Sequence, residues 1–253
     1  MRHEIYRLTY EMEERYWWYA ARRRIVLDQV RRILSSRTAD GPARILDFGC
    51  GTGANLEALA SLGTVHGLDA SKEAVSFCRK RGLDRVALLE EGPLPQDPPF
   101  GGGFDLITML DVLEHVPDEV EILKTLGSWL VPGGVLLLTV PAYEALWSGE
   151  DYVSDHLRRY TAPSLRQTLN RAGCGVARMT YFNTLLLPLQ ALAVWGSRIF
   201  KPGSKYDSDI KPLHPLLNRV LTRIMEAERP ILSRRSLPLG GSLLAWGWFT
   251  RNV

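Results

Sequence analysis

Short apolar runs alternate with amphipathic helical patterns along most of this chain. The apolar runs predict seven strands, at 45–48, 64–68, 85–89, 104–109, 135–140, 175–182 and 241–250. Helical spacing of apolar residues predicts helices at 54–62, 73–80, 118–130 and 162–172. Because strands that alternate with helices are typical of α/β proteins, we expect a doubly wound, mostly parallel seven-stranded sheet.

The first predicted strand runs directly into a glycine-rich turn. From Ile45 to Gly53 the sequence reads ILDFGCGTG, which places glycines at 49, 51 and 53. Glycines let the backbone pass close to a ligand and adopt the positive φ values of a tight turn. The second strand ends at Asp69, about twenty residues after the turn, where a carboxylate can accept both hydroxyls of a ribose. The pattern predicts a nucleotide-binding site.

Two kinds of cofactor fit this turn. If Ala54 is counted, the turn satisfies the dinucleotide fingerprint, so a nicotinamide-dependent oxidoreductase is one interpretation. Asp47 lies two residues before the first glycine. A carboxylate there repels a pyrophosphate and suits a ligand with a cationic amino group. Asp47 therefore favours the second kind of cofactor.

The whole string resembles motif I of the class I methyltransferases that use S-adenosyl-L-methionine. A second string, LEHVPD at 113–118, follows the fourth strand and closely resembles a segment of ubiquinone-biosynthesis-type small-molecule methyltransferases. The resemblance implies a Rossmann-like methyltransferase fold with S-adenosyl-L-methionine as cofactor. The implied cofactor-binding residues are Asp47, Gly49, Cys50, Gly51, Gly53, Asp69, Ala70, Glu90, Glu91, Leu110, Asp111, Trp18 and Arg22.

The same resemblance assigns roles to several of these residues. It implies that the turn holds the methionine end of the cofactor and that Asp69 holds the ribose. Glu90 or Glu91, after the third strand, would lie near the adenine. Trp18 and Arg22 would belong to an N-terminal helix that covers the cofactor, with Arg22 pairing the methionine carboxylate.

Relatives of this type usually join the last two strands by a tight connection, whereas here about sixty residues intervene. The predicted organisation is an N-terminal helical lid at 1–42, a cofactor-binding core at 43–182, a helical insertion at 183–238 and a closing strand at 239–253. From Leu216 onward the insertion has an apolar helical stripe opposite Arg219 and Arg223, which is a basic amphipathic pattern. Such a helix packs on its own domain or contacts a membrane surface, here through 184–235.

Two histidines are candidates for catalysis. Methyl transfer requires mainly that the nucleophile is aligned, but a hydroxyl acceptor is helped by a general base. His115 and His156 lie in loops expected near the cofactor edge. We predict that His156 is the substrate base and that His115 is a cleft residue. Alternatively, His115 caps the next helix and His156 orients Asp151 or a carbonyl.

Cofactor motifs do not encode the acceptor, so O-, N- and C-methylation of a small or lipid-linked molecule all remain open. The string that nucleic-acid amino methyltransferases carry, Asn/Asp-Pro-Pro-Tyr/Phe, is absent after the fourth strand, so no nucleic-acid partner is expected. A third interpretation is a catalytically silent module that binds the cofactor and associates with a membrane or partner.

Charge is distributed unevenly. Residues 45–155 carry 6 Lys/Arg and 18 Asp/Glu, whereas the two flanks carry 25 and 10. Basic flanks suit an anionic substrate or membrane surface, or attraction to the acidic core. The first residues are too charged for a signal peptide, and the three separated cysteines argue against a zinc site. We expect a cytoplasmic protein, or one peripheral to the inner face of the membrane.

Overall fold

The computed structural model describes residues 3–38, 40–90, 92–200 and 210–250. These residues form a seven-stranded sheet in the order β3-β2-β1-β4-β5-β7-β6. The strands are β1 Ala43–Phe48, β2 Gly63–Asp69, β3 Val86–Leu88, β4 Phe104–Leu110, β5 Leu130–Pro141, β6 Cys174–Phe182 and β7 Ser242–Phe249. The first five strands are parallel, and β7 runs antiparallel to β5 and β6. The predicted fold class is confirmed.

Ten α-helices surround the sheet in the described part of the chain. They are α1 His3–Met12, α2 Trp17–Ser35, α3 Ala54–Leu59, α4 Lys72–Lys80, α5 Glu119–Trp129, α6 Gly149–Val153, α7 Ala162–Arg171, α8 Leu187–Phe200, α9 Pro215–Glu226 and α10 Arg229–Leu232. Polar side chains fix several of the helix starts. Ser71 accepts from the amide of Ala74, and Asp118 accepts from the amide of Glu121. Both residues are N-caps, and each satisfies a backbone donor that the helix itself leaves free.

Both faces of the sheet are covered, which explains why its strands are apolar along most of their length. On one face, α5 and α7 pack through Leu126, Trp129 and Leu165. On the other face, α2 and α9 pack, with Ile25 and Met225 among their buried side chains. Because both faces are closed, ligands can reach the strands only at the edges of the sheet where the loops lie.

The N-terminal segment differs from the prediction of a single helix. It forms two helices, α1 and α2, separated by a turn at residues 13–16. Glu13 stabilises this turn. Its side chain is buried against Thr52 of the glycine turn, and its backbone carbonyl accepts a hydrogen bond from Arg23 at 2.6 Å. The turn therefore contacts the glycine turn through Glu13 and Thr52, while the apolar side chains of α2 pack along the sheet as part of the core.

Three helices, α8, α9 and α10, lie between β6 and β7, in the range that the sequence analysis assigns to a helical insertion. Leu221 and Met225 of α9 are buried, but Leu216, Leu217 and Val220 stay exposed. The basic amphipathic helix therefore packs on its own domain through part of its apolar stripe. Among the described residues, no helix combines the length and the apolar character needed to cross a membrane.

Candidate methyl-transfer site at the carboxyl edge of the sheet

The glycine turn connects β1 to α3 at the carboxyl edge of the sheet. Gly49 has a φ of +75°, and a Cβ there would lie 2.3 Å from Cγ2 of Val112. Gly51 has a φ of +56°, but a Cβ there would have no described atom within 4 Å. Gly49 is therefore required by packing, whereas Gly51 borders open space that a ligand can occupy.

Asp69 ends β2 beside this turn, and it is buried. Its Oδ2 accepts from the Gly51 amide at 2.8 Å, and its Oδ1 accepts from the Ser71 amide at 2.9 Å. Burial raises the pKa of this carboxyl group, while the two amide hydrogen bonds act in the opposite direction. Since each carboxylate oxygen has about two acceptor positions, Asp69 holds the turn in shape and keeps capacity for a ribose hydroxyl.

Asp47 lies inside β1 and is almost completely buried, with 1% of its surface exposed. Its Oδ1 accepts from the Thr108 hydroxyl at 2.7 Å, whereas Oδ2 is buried without a hydrogen-bond partner. Burial raises the pKa of Asp47 to about 7. A buried carboxylate oxygen without a donor is costly, so the geometry fits a ligand that brings a cationic or N–H donor group to this point.

Arg22 and Asp111, both predicted cofactor residues, form a buried ion pair. Asp111 follows β4 with a φ of +56°, an uncommon value for a residue other than glycine. Thr139 holds it there, because its hydroxyl donates to Oδ1 at 2.9 Å and its carbonyl accepts from the Asp111 amide at 3.0 Å. The Arg22 guanidinium is also near enough to Asp47 and Glu114 to lower the pKa of each carboxyl group. It thus links the glycine turn to the segment after β4 that carries Glu114.

Residues of α1 and the following turn close over the glycine turn. The Glu13 carboxylate accepts a buried hydrogen bond from the Thr52 hydroxyl. Arg81 of the α4 C-cap donates to the Thr52 carbonyl at 2.9 Å and to Glu13 at 2.9 Å. Tyr6 of α1 lies close to Asp69 and Ser71, and burial together with the Asp69 charge raises the pKa of its hydroxyl. The N-terminal segment therefore contacts both parts of the predicted cofactor site.

The predicted base, His156, lies in the loop between β5 and α7, residues 142–161, which we name the histidine loop. Its Nδ1 is 2.8 Å from Oδ1 of Asp151. Asp151 is buried and also accepts two hydrogen bonds from Arg159, each 2.8 Å long. Although burial opposes the charge, the hydrogen bonds from His156 and Arg159 hold the pKa of Asp151 below its ordinary value. An ionised Asp151 fixes the proton of His156 on Nδ1, which leaves Nε2 as the basic nitrogen.

His115 and Glu114 lie beside His156. The two imidazole rings are 4.7 Å apart between centroids and nearly perpendicular. Burial and the neighbouring His156 lower the pKa of His115 to about 4. Nε2 of His156 is 4.0 Å from Oε1 of Glu114, a fully buried carboxyl whose pKa is raised to about 8 by burial. His115 thus lies against His156, and the side chain that caps the next helix is that of Asp118. The role of His115 as a cleft residue stays a prediction.

The same three residues form a donor set that suits a metal ion. One ligand atom from each of Glu114, His115 and His156 lies within 4.8 Å of the others. Imidazole nitrogens with a carboxylate are ligands for divalent transition metals. The predicted absence of a metal site rests on the cysteines alone and stays a prediction.

The remaining predicted cofactor residues occupy the same edge of the sheet. Those in or after the turn and strands are Cys50 and Gly53, Ala70 after β2, Leu110 at the end of β4, and the exposed Glu90 after β3. Glu91 lies outside the described residues. Trp18 stacks on Phe182 at the end of β6, with ring centroids 6.0 Å apart. Trp18 therefore lies at the β6 end of the carboxyl edge and not over the glycine turn.

Glu13, Thr52 and Glu114 have no role in the sequence-based prediction. Glu114 precedes His115 within the LEHVPD string, so the string itself carried a signal for it. The contact of Glu13 with Thr52 joins residues far apart in the chain, and no local pattern indicates it.

Comparison with known protein families identifies the family of this chain. Residues 17–178, well over half of the chain, match the family model described as a methyltransferase domain. The chain belongs to this methyltransferase family. Membership confirms the predicted family and its cofactor, S-adenosyl-L-methionine, and does not favour the oxidoreductase interpretation.

Named relatives agree with the family, and solved structures agree with the fold. A ubiquinone biosynthesis O-methyltransferase from Xanthomonas campestris is 36% identical over 141 residues, which are 51% of this chain and 57% of that protein. The chain thus spans little more than half the length of the curated relatives it matches. A chain from the Haloferax volcanii complex of the Trm112 activator with a methyltransferase has a TM-score of 0.56 and 21% identity, covering 96% of this chain and 93% of its own. A SAM-dependent methyltransferase from Archaeoglobus fulgidus has a TM-score of 0.52 and 18% identity, covering 89% and 93%.

Proposed function

We propose that this chain transfers a methyl group from S-adenosyl-L-methionine to a hydroxyl group of a small or lipid-linked acceptor. The observation that carries the proposal is the meeting of two features at one edge of the sheet. The first is a glycine turn flanked by Asp47 and Asp69, and the second is the His156–Asp151 pair. Arg22 lies between them. Its positive charge partly offsets the effect of burial on the pKa of Asp47 on one side and of Glu114 on the other.

The residues around the turn fit the cofactor by their chemistry. Asp47 has a buried oxygen without a donor, which suits the amino group of the methionine part. Asp69 suits the ribose, and Gly51 leaves room for the backbone to approach it. The cofactor supplies an electrophilic methyl group on its sulfonium. The protein must then position an acceptor and remove its proton.

His156 has the features required of the residue that removes the proton. Asp151 holds one ring nitrogen, so the opposite nitrogen, Nε2, can take a proton from an acceptor hydroxyl. Burial raises the pKa of Glu114 to about 8, so near neutral pH this neighbour is mostly protonated and does not bind the imidazole as a competing anion. The name of the Xanthomonas relatives, O-methyltransferase, supports an oxygen acceptor.

The acceptor class follows from the loop and the insertion. Arg158 lies at the mouth of the histidine loop, and its pairing with Glu119 leaves it partly exposed. The loop carbonyls of Ala145 and Trp147 contact α8 of the insertion, whose outer surface is apolar. An aromatic or lipid-linked alcohol with anionic character suits such surroundings.

The test is transfer of labelled methyl groups to defined acceptors. We would incubate the protein with methyl-labelled S-adenosyl-L-methionine and either a water-soluble catechol or a bacterial lipid extract. Label in a methyl ether, with formation of S-adenosylhomocysteine, is the expected result. Tight binding of S-adenosylhomocysteine without turnover of any acceptor would instead favour the catalytically silent module.

A further inference from the structure

Helix α8 has an exposed apolar face, which we name the α8 stripe and define as Leu189, Leu192, Trp195 and Ile199. At 100° per residue these four side chains fall within about 120° of the helix circumference. Each is 50–71% exposed. The opposite side of the helix packs on the protein through Val194, which is buried. An apolar face of this size on an otherwise ordinary surface is typical of an interaction site.

The surroundings of the α8 stripe are basic. Arg198 lies beside Ile199 and is exposed, and its guanidinium donates to the Trp147 carbonyl rather than to an acid. Helix α8 contains no Asp or Glu. From His156 to Tyr206 the sequence has eight Lys/Arg and no acidic residue. Arg158 and Arg159 of this segment pair with Glu119 and Asp151, so the positive charge shown beside the stripe is that of Arg198. The complementary partner is therefore apolar with an anionic surface.

The length of α8 restricts how it can meet such a partner. It has 14 residues and is therefore about 21 Å long, too short to cross a bilayer. An amphipathic helix of this kind lies in the interface, with its apolar side chains among the acyl chains and its basic residues at anionic headgroups. Trp195 is a residue type enriched at that depth.

The α8 stripe is also connected to the candidate site. Helix α8 follows β6, which ends at the same edge of the sheet as the glycine turn. The indole N–H of Trp195 donates to the Ala145 carbonyl at 3.2 Å, and Arg198 donates to the Trp147 carbonyl at 2.7 Å. Both carbonyls belong to the loop that carries Asp151 and His156. A partner that binds the α8 stripe would therefore lie next to the histidine loop.

We propose that the α8 stripe is a docking surface for an anionic phospholipid bilayer, which brings the histidine loop to the membrane interface. The docking itself is independent of catalysis. Only its consequence, access to an acceptor dissolved in the bilayer, rests on the proposed methyl transfer.

The test is flotation of the full-length protein with phospholipid vesicles. Vesicles of phosphatidylcholine alone are compared with vesicles that contain about 30% phosphatidylglycerol, at low and at high salt. We expect binding to the anionic vesicles at low salt, and about tenfold weaker binding to neutral vesicles or at high salt. Equal binding to both vesicle types, or none to either, would overturn the proposal.

Variants of the stripe locate the contact. The double variant Leu192→Ser/Ile199→Ser should weaken binding to anionic vesicles about tenfold or more, and Arg198→Gln should weaken it less. The matched control is Trp248→Ala, which removes a half-exposed apolar side chain at the opposite end of β7. All three should keep the melting temperature and the affinity for S-adenosylhomocysteine, because none touches the cofactor site. Vesicle binding that survives the double variant would contradict the proposal.

Two further readouts distinguish a bilayer from a second copy of the chain, and docking from catalysis. If the stripe joins two copies of this chain, light scattering will show a dimer that the double variant dissociates, and vesicles will not bind. That result would overturn the proposal, because the partner of the α8 stripe would then be a second copy of the chain and not a bilayer. Turnover of a water-soluble acceptor is measured in parallel without vesicles. Its failure would contradict the proposed function alone, whereas loss of vesicle binding would contradict this inference alone.

Discussion

At the scale of single residues, the site is a set of buried ionisable groups whose neighbours determine their charge. Asp47 is buried with one oxygen unpaired, and its pKa is raised to about 7. Glu114 is fully buried and its pKa is raised to about 8. Burial favours the neutral form of each. A cation bound next to Asp47 would favour its charged form, so ligand binding and ionisation are coupled there.

That coupling predicts a pH dependence of cofactor binding. The carboxylate form of Asp47 is the one that attracts the cofactor amino group, and it becomes the minor form below a pKa of about 7. The association constant of S-adenosylhomocysteine should therefore rise with pH, by up to about tenfold per pH unit below the pKa, and level off above it. Calorimetric titrations from about pH 6 to about pH 8 measure this slope.

Asp47→Asn is the matched variant, because it keeps the shape and removes the ionisation. Binding should be weaker above neutral pH and should lose its slope. The variant should also be more stable than the wild type without ligand at alkaline pH. The reason is that a raised native pKa makes stability fall as pH rises from the unfolded pKa to the native one. An unchanged slope in Asp47→Asn would assign the titration to another group.

His156→Ala tests the general base. Loss of this base should reduce kcat by about a hundredfold, the usual contribution of proton transfer, and leave the affinity for S-adenosylhomocysteine unchanged. His214→Ala is the control, because His214 is exposed and lies at the start of α9. Rates of methyl transfer are measured as a function of pH for both proteins. If His156 is the base, the pH profile of His156→Ala should lack one ionisation that the wild-type profile shows. Full activity in His156→Ala would limit His156 to orienting Asp151.

Residues at the carboxyl edge were predictable from the sequence where one short string contains both the turn-forming glycines and the functional side chains. Asp47, Gly49, Gly51 and Asp69 all lie where the strand and turn pattern places them. It did not predict that Glu114 lies within reach of His156, because that contact depends on how two separate loops pack. Burial and pKa shifts follow from such packing and have no local pattern.

At the scale of elements, the turn between α1 and α2 is the part of the N-terminal segment that contacts the glycine turn. Its Glu13 binds both Thr52 and Arg81, and Tyr10 of α1 stacks on Phe77 of α4 with centroids 4.6 Å apart. These contacts tie α1 to the two elements around the predicted ribose site. Opening of α1 would break a few polar contacts, while α2 would stay packed on the sheet.

We therefore expect Glu13→Ala to loosen this cover. Its loss removes two buried hydrogen bonds near the turn, worth about 1–3 kcal/mol, so the dissociation rate constant of S-adenosylhomocysteine should rise about fivefold or more. Stopped-flow displacement of the ligand measures the rate. Glu11→Ala is the control, because Glu11 is exposed and pairs with Arg7 on the same helix. Equal rates in both variants would mean that α1 does not cover the ligand.

Helix boundaries were predictable where the apolar periodicity is regular. The predicted helices at 73–80 and 118–130 correspond to α4 and α5, whose first turns are capped by Ser71 and Asp118. The division of the N-terminal helix was not predictable, because residues 13–16 have no glycine or proline and Glu13 is stabilised by Thr52, far away in the chain. Helix α6 was hidden in a loop rich in polar and aromatic residues. Its start is fixed by a reciprocal cap between Ser148 and Asp151.

At the scale of the whole molecule, the two basic flanks pair with each other. Arg229 of the insertion binds Asp28 of α2 at 2.7 Å, and Arg24 of α2 binds Glu226 of α9. The expected attraction of flanks to the acidic core is represented by Arg22 with Asp111 and by Arg37 with Asp105. The insertion is therefore attached mainly to α2, while its own first helix, α8, is attached to the histidine loop.

Glu228 anchors this insertion to the core and offers a test of it. The buried carboxylate accepts from the Leu185 amide at 2.8 Å, at the exit of β6. Glu228→Ala would remove the buried carboxylate that holds the Leu185 amide and should lower the free energy of unfolding by about 1–3 kcal/mol. Urea denaturation measures it. Glu226→Ala, which removes a more exposed ion pair, should lower it by less than about 1 kcal/mol. The reverse order would show that Glu228 is no anchor.

Binding of an S-adenosylmethionine-type cofactor by the glycine turn and Asp69 underlies every step of the proposed chemistry, and calorimetric titration with S-adenosylhomocysteine measures it. We expect one site per chain in the wild type and at least about a hundredfold weaker binding in Asp69→Ala, since this carboxylate both shapes the turn and suits the ribose. Asp84→Ala, which changes an exposed aspartate, serves as the control. Failure of the wild type to bind, or equal binding in Asp69→Ala, would contradict the assignment of this site.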